Sequence, residues 1–473
     1  MKTNITSIQY IIISFIGLIL TSLFCWFTRL DYAIVSSLIT LVFTYKLCKL
    51  SIQKINSITF FLLLFYVLYT YSPILTVLFD IDNRRLFTES TPETACAYLF
   101  VSTLGLFGLS IPYIFKAPIK EVKKEKISRE KSQFDLYAIF FVLLATLGEL
   151  INILRAGGFN LIASGKAVYQ AKTADVFITL PSTFFLQIAF FFLGLRLYTM
   201  YESNVLKIVK NKFFLLIVFL SVPLITIYLS VGFRSPLLGV AIAFIIGFSY
   251  YMNINKLKRK VILGVFIGYS FLAILFGIRG HLKLLFSSGD WDRFNEYIIK
   301  QKTFLYYFNP ANNEFGAPYM NYIKFYNDDN ELLLGSSYIN SFFIPIPRVF
   351  FPFGKPLPIS YKFRDKYFNS WKKSSRIAGS GFSYVMEAQW NFGYIGPLVV
   401  YFFTGCFFWL LEYFRNRNKF IYLFPLFYAI FLPLSQSMHR SSFGFLISNF
   451  LLIFIGVAIL ALVRKIIFLK FKQ

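Results

Sequence analysis

Histidine is nearly absent from this chain of 473 residues, with only two copies. A metal centre built on imidazole needs more than that, so no metal is expected. Cysteine is scarce as well. Cys25, Cys48, Cys96 and Cys406 fall in or beside apolar runs, with neither metal-ligand spacing nor a disulfide framework, and they read as packing residues. Charge is thin at 15% of residues, and acids are the rarer sign, 22 against 48 bases. No Walker loop, Rossmann glycine fingerprint or zinc motif occurs. The first apolar run has no acidic pair at its outer mouth, where a dolichol-type glycosyltransferase keeps one. No cofactor is expected.

What fills the chain instead is apolar. Hydrophobic residues make up 57% and mean hydropathy is +0.62. Apolar runs near 20 residues recur from end to end, the length that spans a bilayer core of about 30 Å as a helix. Helices are predicted at 8–27, 30–47, 57–79, 95–115, 135–154, 176–198, 213–231, 236–252, 261–278, 392–411, 420–434 and 443–463. The fold expected is an all-α polytopic membrane protein of about twelve spans, one integral membrane domain over 1–473. The first run has no small-residue cleavage site and reads as a retained helix.

A net charge of +26 raises nucleic acid as a partner, but its distribution points to topology. With the N-terminus inside, cytoplasmic segments hold 26 Lys and Arg, the short outside loops 8, and the long outside segment 279–391 holds 14. Long segments translocate largely regardless of charge, so the short-loop contrast sets orientation. Both termini are expected in the cytoplasm, 279–391 is a large extracytoplasmic loop, and no nucleic acid is expected. The basic run KAPIKEVKKEKISREKSQ is an ordinary cytoplasmic loop that could also touch anionic lipid. Loop 80–94 reads as solvated. The first four helices show little polar chemistry.

Polar residues of interest gather at the predicted outer ends. Gly157 and Gly158 leave Arg155 at the end of the fifth helix. The turn SVGFRSPLLGV fixes Arg234, as a headgroup anchor or a phosphate ligand. FGIRGHLK places Arg279 and His281. Prolines 345, 347, 352, 356 and 358 prevent a regular helix around Arg348. Such a segment can lie on the membrane surface or dip in where protein surrounds it. Arg376 sits in a Ser/Gly-rich run and Glu387 in MEAQWNFG, where water should give way to lipid. His439 and Arg440 share the last outside turn, the histidine reading as a headgroup-facing residue ahead of a catalytic one. Arginine offers phosphate a planar, always charged fork, and several converging arginines suit a pyrophosphate. Glu387 could act as general base towards a sugar hydroxyl. Alternatively it pairs with Arg376 or caps the tenth helix.

The run from Gly335 to Gly405, with IPIPRVFFPFGKP and then SGFSYVMEAQWNFGYIGPLVVYFFTG, resembles the Wzy-type polymerases of O-antigen and capsular repeat units. The GFRSP turn at 232–236 is similar to that family's arginine turn. The resemblance implies a fold like the C-type glycosyltransferases, without an obligatory metal, in a bacterial cytoplasmic membrane. It implies transfer of a growing glycan from undecaprenyl pyrophosphate onto a new lipid-linked unit. Mapped here, Arg234, Arg348 and Arg376 would hold the pyrophosphate, with Arg279 and Arg440 as weaker candidates. Glu387 would take the acceptor proton or orient that sugar. Tyr384, Trp390 and Trp371 could stack on sugars. Membrane lipid and a chain-length regulator protein are the other partners implied. An O-antigen ligase and a flippase for the same lipid-linked units are the competing readings. Glu149, the clearest charge inside a predicted span, is what a flippase would need.

Overall fold

A computed structural model describes residues 5–52, 58–79, 89–115, 131–159, 182–201, 212–231, 235–249, 291–292, 296, 315–346, 350–351, 354–368, 381–417 and 438–470. These residues are helical with loops and no strand. The first helices are α1 (Ile5–Trp26), α2 (Leu30–Ile52), α3 (Ile58–Tyr66), α4 (Ser72–Leu78) and α5 (Pro92–Ser110). Then come α6 (Lys131–Ala156), α7 (Ser182–Tyr201), α8 (Lys212–Val231) and α9 (Ser235–Ser249). Short helices follow: α10 (Ala317–Tyr326), α11 (Ser336–Phe343), α12 (Ile359–Tyr367) and α13 (Tyr384–Phe392). The chain closes with α14 (Gly396–Arg417) and α15 (Phe443–Lys470). Among the described residues five stretches are long and apolar enough to cross a membrane: Ile5–Trp26, Leu30–Ser51, Pro92–Ile114, Phe134–Ala156 and Tyr384–Tyr413. The chain is a helical membrane protein. The spans expected at 261–278 and 420–434, and the first part of the loop 279–391, lie largely or wholly outside the described residues.

Residue pairs between helices fix their relative directions. Ser14 meets Thr44 and Thr21 meets Ser36, so α1 and α2 run opposite ways. Ser37 meets Thr103, and Ser51 meets the Phe115 carbonyl just beyond α5, so α2 and α5 run the same way. Gly405 approaches Leu109 and Trp409 Nε1 donates to the Phe115 carbonyl, which gives α14 the direction of α5. Phe407 packs on Phe450 with ring centroids 5.0 Å apart, alongside the start of α15. On the other side of the bundle Asp135 pairs with Arg196 at 3.1 Å and Glu149 meets Ser182, so α6 and α7 are antiparallel.

The first helices carry more polar chemistry than expected. Hydroxyls join them in rungs: Ser14–Thr44, Thr21–Ser36, and Ser37 between Tyr71 at 2.6 Å and Thr103 at 2.9 Å. In lipid, where apolar burial does not favour one helix contact over another, small residues and such hydrogen bonds are what hold helices together. Glycine does the same between α5 and α14. A Cβ on Gly108 would lie 2.3 Å from the Leu398 carbonyl oxygen, so only glycine permits this approach.

One predicted span is broken and another is entered through a reversal of the chain. The third, read as one helix over 57–79, contains a π-helical turn at Val67–Tyr71. Pro73 has no N–H to give the Tyr69 carbonyl four residues back, and the Tyr98 hydroxyl donates to that carbonyl instead, at 3.4 Å. The tenth, expected over 392–411, is α14, but α13 just ahead of it folds back against it. If α13 and α14 were one rod, Tyr384 and Tyr401 would be roughly 25 Å apart at 1.5 Å per residue. Their rings are 5.4 Å apart, and the Tyr384 hydroxyl reaches Thr404. The helix therefore folds back on itself through a 3-10 turn at Gly393–Ile395.

Candidate functional site

The hairpin carries Glu387. Ser383, in extended backbone, starts α13 by accepting from the Met386 N–H at 3.1 Å. Gly393 ends it with φ +64°, a value that suits a residue without Cβ. The carbonyls left open at that end accept from the N–H groups of Leu333 and Leu334, at 3.0 and 3.1 Å. The chain then turns, and Gly396 comes so close to Ala388 that a Cβ there would lie 2.0 Å from its carbonyl oxygen. Glu387, on the first turn of α13, is thus drawn into the bundle beside α14.

Glu387 has no solvent exposure. Its Oε1 accepts from the Ser337 hydroxyl at 2.8 Å and its Oε2 from the backbone N–H of Phe443 at 2.6 Å. Asn391 Nδ2 donates to Ser337 Oγ at 2.8 Å and to the Glu387 carbonyl at 2.7 Å. Among the described residues no cation pairs with this carboxylate. Its countercharge is the N-terminus of α15, whose first N–H groups have no partner within the helix and whose dipole favours an anion. The carboxylate thereby ties α11, α13 and α15 together. Of the expected alternatives the geometry is closest to capping, but of α15 and not of the helix Glu387 leads into. Neither oxygen is free for an acceptor hydroxyl in this arrangement.

Polar atoms remain around it. The Asn391 Oδ1 and the hydroxyls of Tyr338 and Tyr401 are buried without a hydrogen-bond partner among the described residues. The Tyr338 ring lies flat against Phe392 at 5.9 Å and edge-on to Phe443 at 5.2 Å. A buried network left partly unsatisfied is unusual and marks a place where water or a ligand would gain hydrogen bonds.

Of the expected pyrophosphate ligands, Arg234, Arg279, Arg348 and Arg376 lie outside the described residues, as does Trp371. Arg440 is half-buried on the turn before α15. The two described aromatics expected on sugars are enclosed. Tyr384 is 3% exposed and packs on Tyr401 and Phe443. Trp390 donates to the Glu331 carbonyl and sits among Phe325, Phe363 and Phe382. Neither offers a free ring face. His439 is not headgroup-facing either. It is buried, bonds through Nε2 to the Leu62 carbonyl at 3.2 Å and stacks on Tyr69 of the π-turn at 5.5 Å. The sequence reading passed over Ser337, Asn391 and the Phe443 N–H. Asn391 follows Glu387 by four residues, one helical turn, and that spacing was the available signal. Arg155 is exposed in the last turn of α6, as expected.

Asp135, Glu149 and Glu412 are also buried carboxylates, away from this site. Glu149 on α6 is 5% exposed, accepts from the Ser182 hydroxyl and is approached by the Tyr228 hydroxyl at 3.5 Å. Among the described residues no group of three His, Cys, Asp or Glu could hold a metal ion. Comparison with models of known protein families, with curated proteins and with solved structures finds no match.

Proposed function

We propose that this chain polymerises glycan repeat units carried on undecaprenyl pyrophosphate, at the outer face of a bacterial cytoplasmic membrane. One observation carries the reading. The part of the chain that resembles Wzy-type polymerases, 335–405, is also the part that breaks into short helices around a buried carboxylate. Ser337 from its start meets Glu387 and Asn391 from its later part there. Broken helices within a membrane domain are the usual way to bring polar groups to a lipid-borne or ionic substrate. The common direction of α2, α5 and α14 is what the twelve-span alternation with cytoplasmic termini requires.

In this reading the acceptor hydroxyl of a new unit attacks the anomeric carbon of the donor glycan. The bond from that carbon to the pyrophosphate oxygen breaks, and undecaprenyl pyrophosphate leaves with the electron pair. Arg234, Arg348 and Arg376 stabilise the charge on the leaving group, with Arg279 and Arg440 flanking. Glu387 takes the acceptor proton only if that hydroxyl replaces Ser337 on Oε1. Otherwise it is a positioning residue. No metal or cofactor enters, and a chain-length regulator is a further expected partner.

Deletion of the gene in its host tests this, with surface glycan run on a gel with and without wild type or Arg376→Ala. Single repeat units after deletion, and a ladder restored by wild type alone, are expected. Long polymer that stays on its carrier would make the chain a ligase. Glu149, buried between α6 and α7, favours a flippase as the one reading from another class. Loss of all repeat units from the outer face would decide for it.

A further inference from the structure

Helix α11 has its polarity inside out. Ser337 and Ser341 are 7% and 2% exposed, while Ile339, Phe342 and Phe343 are 63%, 58% and 38% exposed. A helix on a water-facing loop would show the reverse. Both buried serines are employed: Ser337 donates to Glu387, and Ser341 donates to the Ser337 carbonyl at 2.7 Å. We infer that α11 is a re-entrant helix whose Ile339–Phe342–Phe343 face lies in the acyl chains of the bilayer.

Three further observations point the same way. The first is direction. α11 starts beside the hairpin turn, where Gly335 approaches the Phe392 ring, and ends beside the buried start of α15, where Gly444 approaches Ile344 and Ser341. It therefore descends alongside α13, and eight residues carry it about 12 Å. The second is continuity. Its exposed face adjoins α15, where Phe445 is 45% exposed, and α14 exposes Phe403 at 65% on a stretch long and apolar enough to span. The third is the lower end. A helix terminus inside a membrane leaves carbonyls that lipid cannot satisfy. Here the Lys355 ammonium reaches back to donate to the Ile344 carbonyl, supplying a cation where the helix dipole is negative. The long aliphatic stem of lysine suits a site at the lipid boundary.

The inference concerns the bilayer and holds whether or not the glycan reading does. It is tested on the full chain with Cys25, Cys48, Cys96 and Cys406 replaced by serine or alanine, in liposomes. Spin labels are placed singly at Ile339→Cys and Phe342→Cys, with Phe403→Cys as lipid reference and Asp329→Cys as water reference. Relaxation by oxygen, which concentrates in lipid, is compared with relaxation by a water-soluble nickel chelate. Both α11 labels should follow Phe403→Cys, with oxygen the stronger relaxant by several-fold. Nickel access equal to that at Asp329→Cys would overturn the inference. So would access to neither reagent, which would mean that protein, from this chain or a second copy, covers the face. If either cysteine variant is lost from the membrane, Ile339→Trp in a chain whose five native tryptophans are replaced by phenylalanine, with quenching by brominated acyl chains, gives the same answer. Strong quenching is expected, and none would refute the placement.

Discussion

Replacing Ser337 with alanine removes one hydroxyl and strands two buried groups. Glu387 Oε1 loses its donor and Asn391 Nδ2 loses an acceptor. Leaving a buried polar group unpaired costs about 1–3 kcal/mol, more when it is charged. Side-chain hydrogen bonds in membrane proteins measure lower, averaging about 0.6 kcal/mol and reaching about 1.7. Between those bounds Ser337→Ala should destabilise the protein by about 0.6–3 kcal/mol. Glu387→Gln should cost less than about 1.5 kcal/mol, since the new amide can still accept from Phe443 and donate to Ser337. The two changes share a bond, so the double variant should deviate from additivity by about 0.5 kcal/mol or more. Reversible unfolding by SDS in mixed micelles reads all four proteins. Ser337→Ala within about 0.5 kcal/mol of wild type, with strict additivity, would refute the anchoring role. Activity divides the remaining question. A general base is worth about 10²- to 10⁴-fold in rate. Loss on that scale in a stable Glu387→Gln protein makes Glu387 a base, whereas activity that follows stability makes it an anchor.

Other changes report on separate parts of the structure. Gly108→Leu would drive a side chain into the Leu398 carbonyl, and should abolish the folded monomer peak in size-exclusion chromatography. Tyr71→Phe removes the 2.6 Å bond to Ser37 and should cost about 0.6–1.7 kcal/mol in the same SDS titration. Lys355→Met keeps the apolar stem but leaves the Ile344 carbonyl at the end of α11 without its charged donor. A loss of about 1.5–3 kcal/mol is expected, with raised nickel access at a label on position 342. Arg234→Ala and Arg376→Ala should each remove long polymer from surface-glycan gels while immunoblots show the protein still in the membrane. Wild-type chain length in both would dispose of the pyrophosphate role.

The long helices were legible because a run of about 20 apolar residues has few other fates. Thus α1, α2, α5 and α6 fall where the runs place them, within a few residues at each end. The hairpin was not legible. Tyr384–Tyr413 reads as one apolar stretch of 30 residues, and Asn391, Gly393 and Gly396 look like punctuation ahead of a span and not a reversal within one. What decides is the close approach of Gly396 to Ala388, a tertiary fact. The same holds for the buried groups. His439 finds its acceptor 377 residues away in sequence and Glu387 finds the Phe443 N–H 56 residues on. Local pattern carries no trace of either. The hydroxyl rungs of the first helices were overlooked because isolated Ser and Thr barely change the hydropathy of a span, though they carry specificity within it.

A charged residue deep in a membrane protein is commonly taken as a sign of function, and Glu387 was singled out on that ground. The structure supplies a second reason for its presence. Three helix ends lie inside the bundle: the starts of α13 and α15 and the end of α11. Each leaves backbone groups that lipid cannot satisfy, and each has its own partner. Ser383 serves α13, Glu387 serves α15, and Lys355 serves α11. The carboxylate sits at a positive helix end and the ammonium at a negative one, the arrangement the dipoles favour. These two charges are therefore accounted for by broken helices before any chemistry is invoked. Ending helices inside a membrane is costly in itself, and among the described residues three ends do so within 336–443, around buried hydroxyls of Tyr338 and Tyr401 that have no partner there. An uninterrupted bundle would need none of these caps. The caps explain the charges; the unpaired polar atoms beside them are what the caps do not explain.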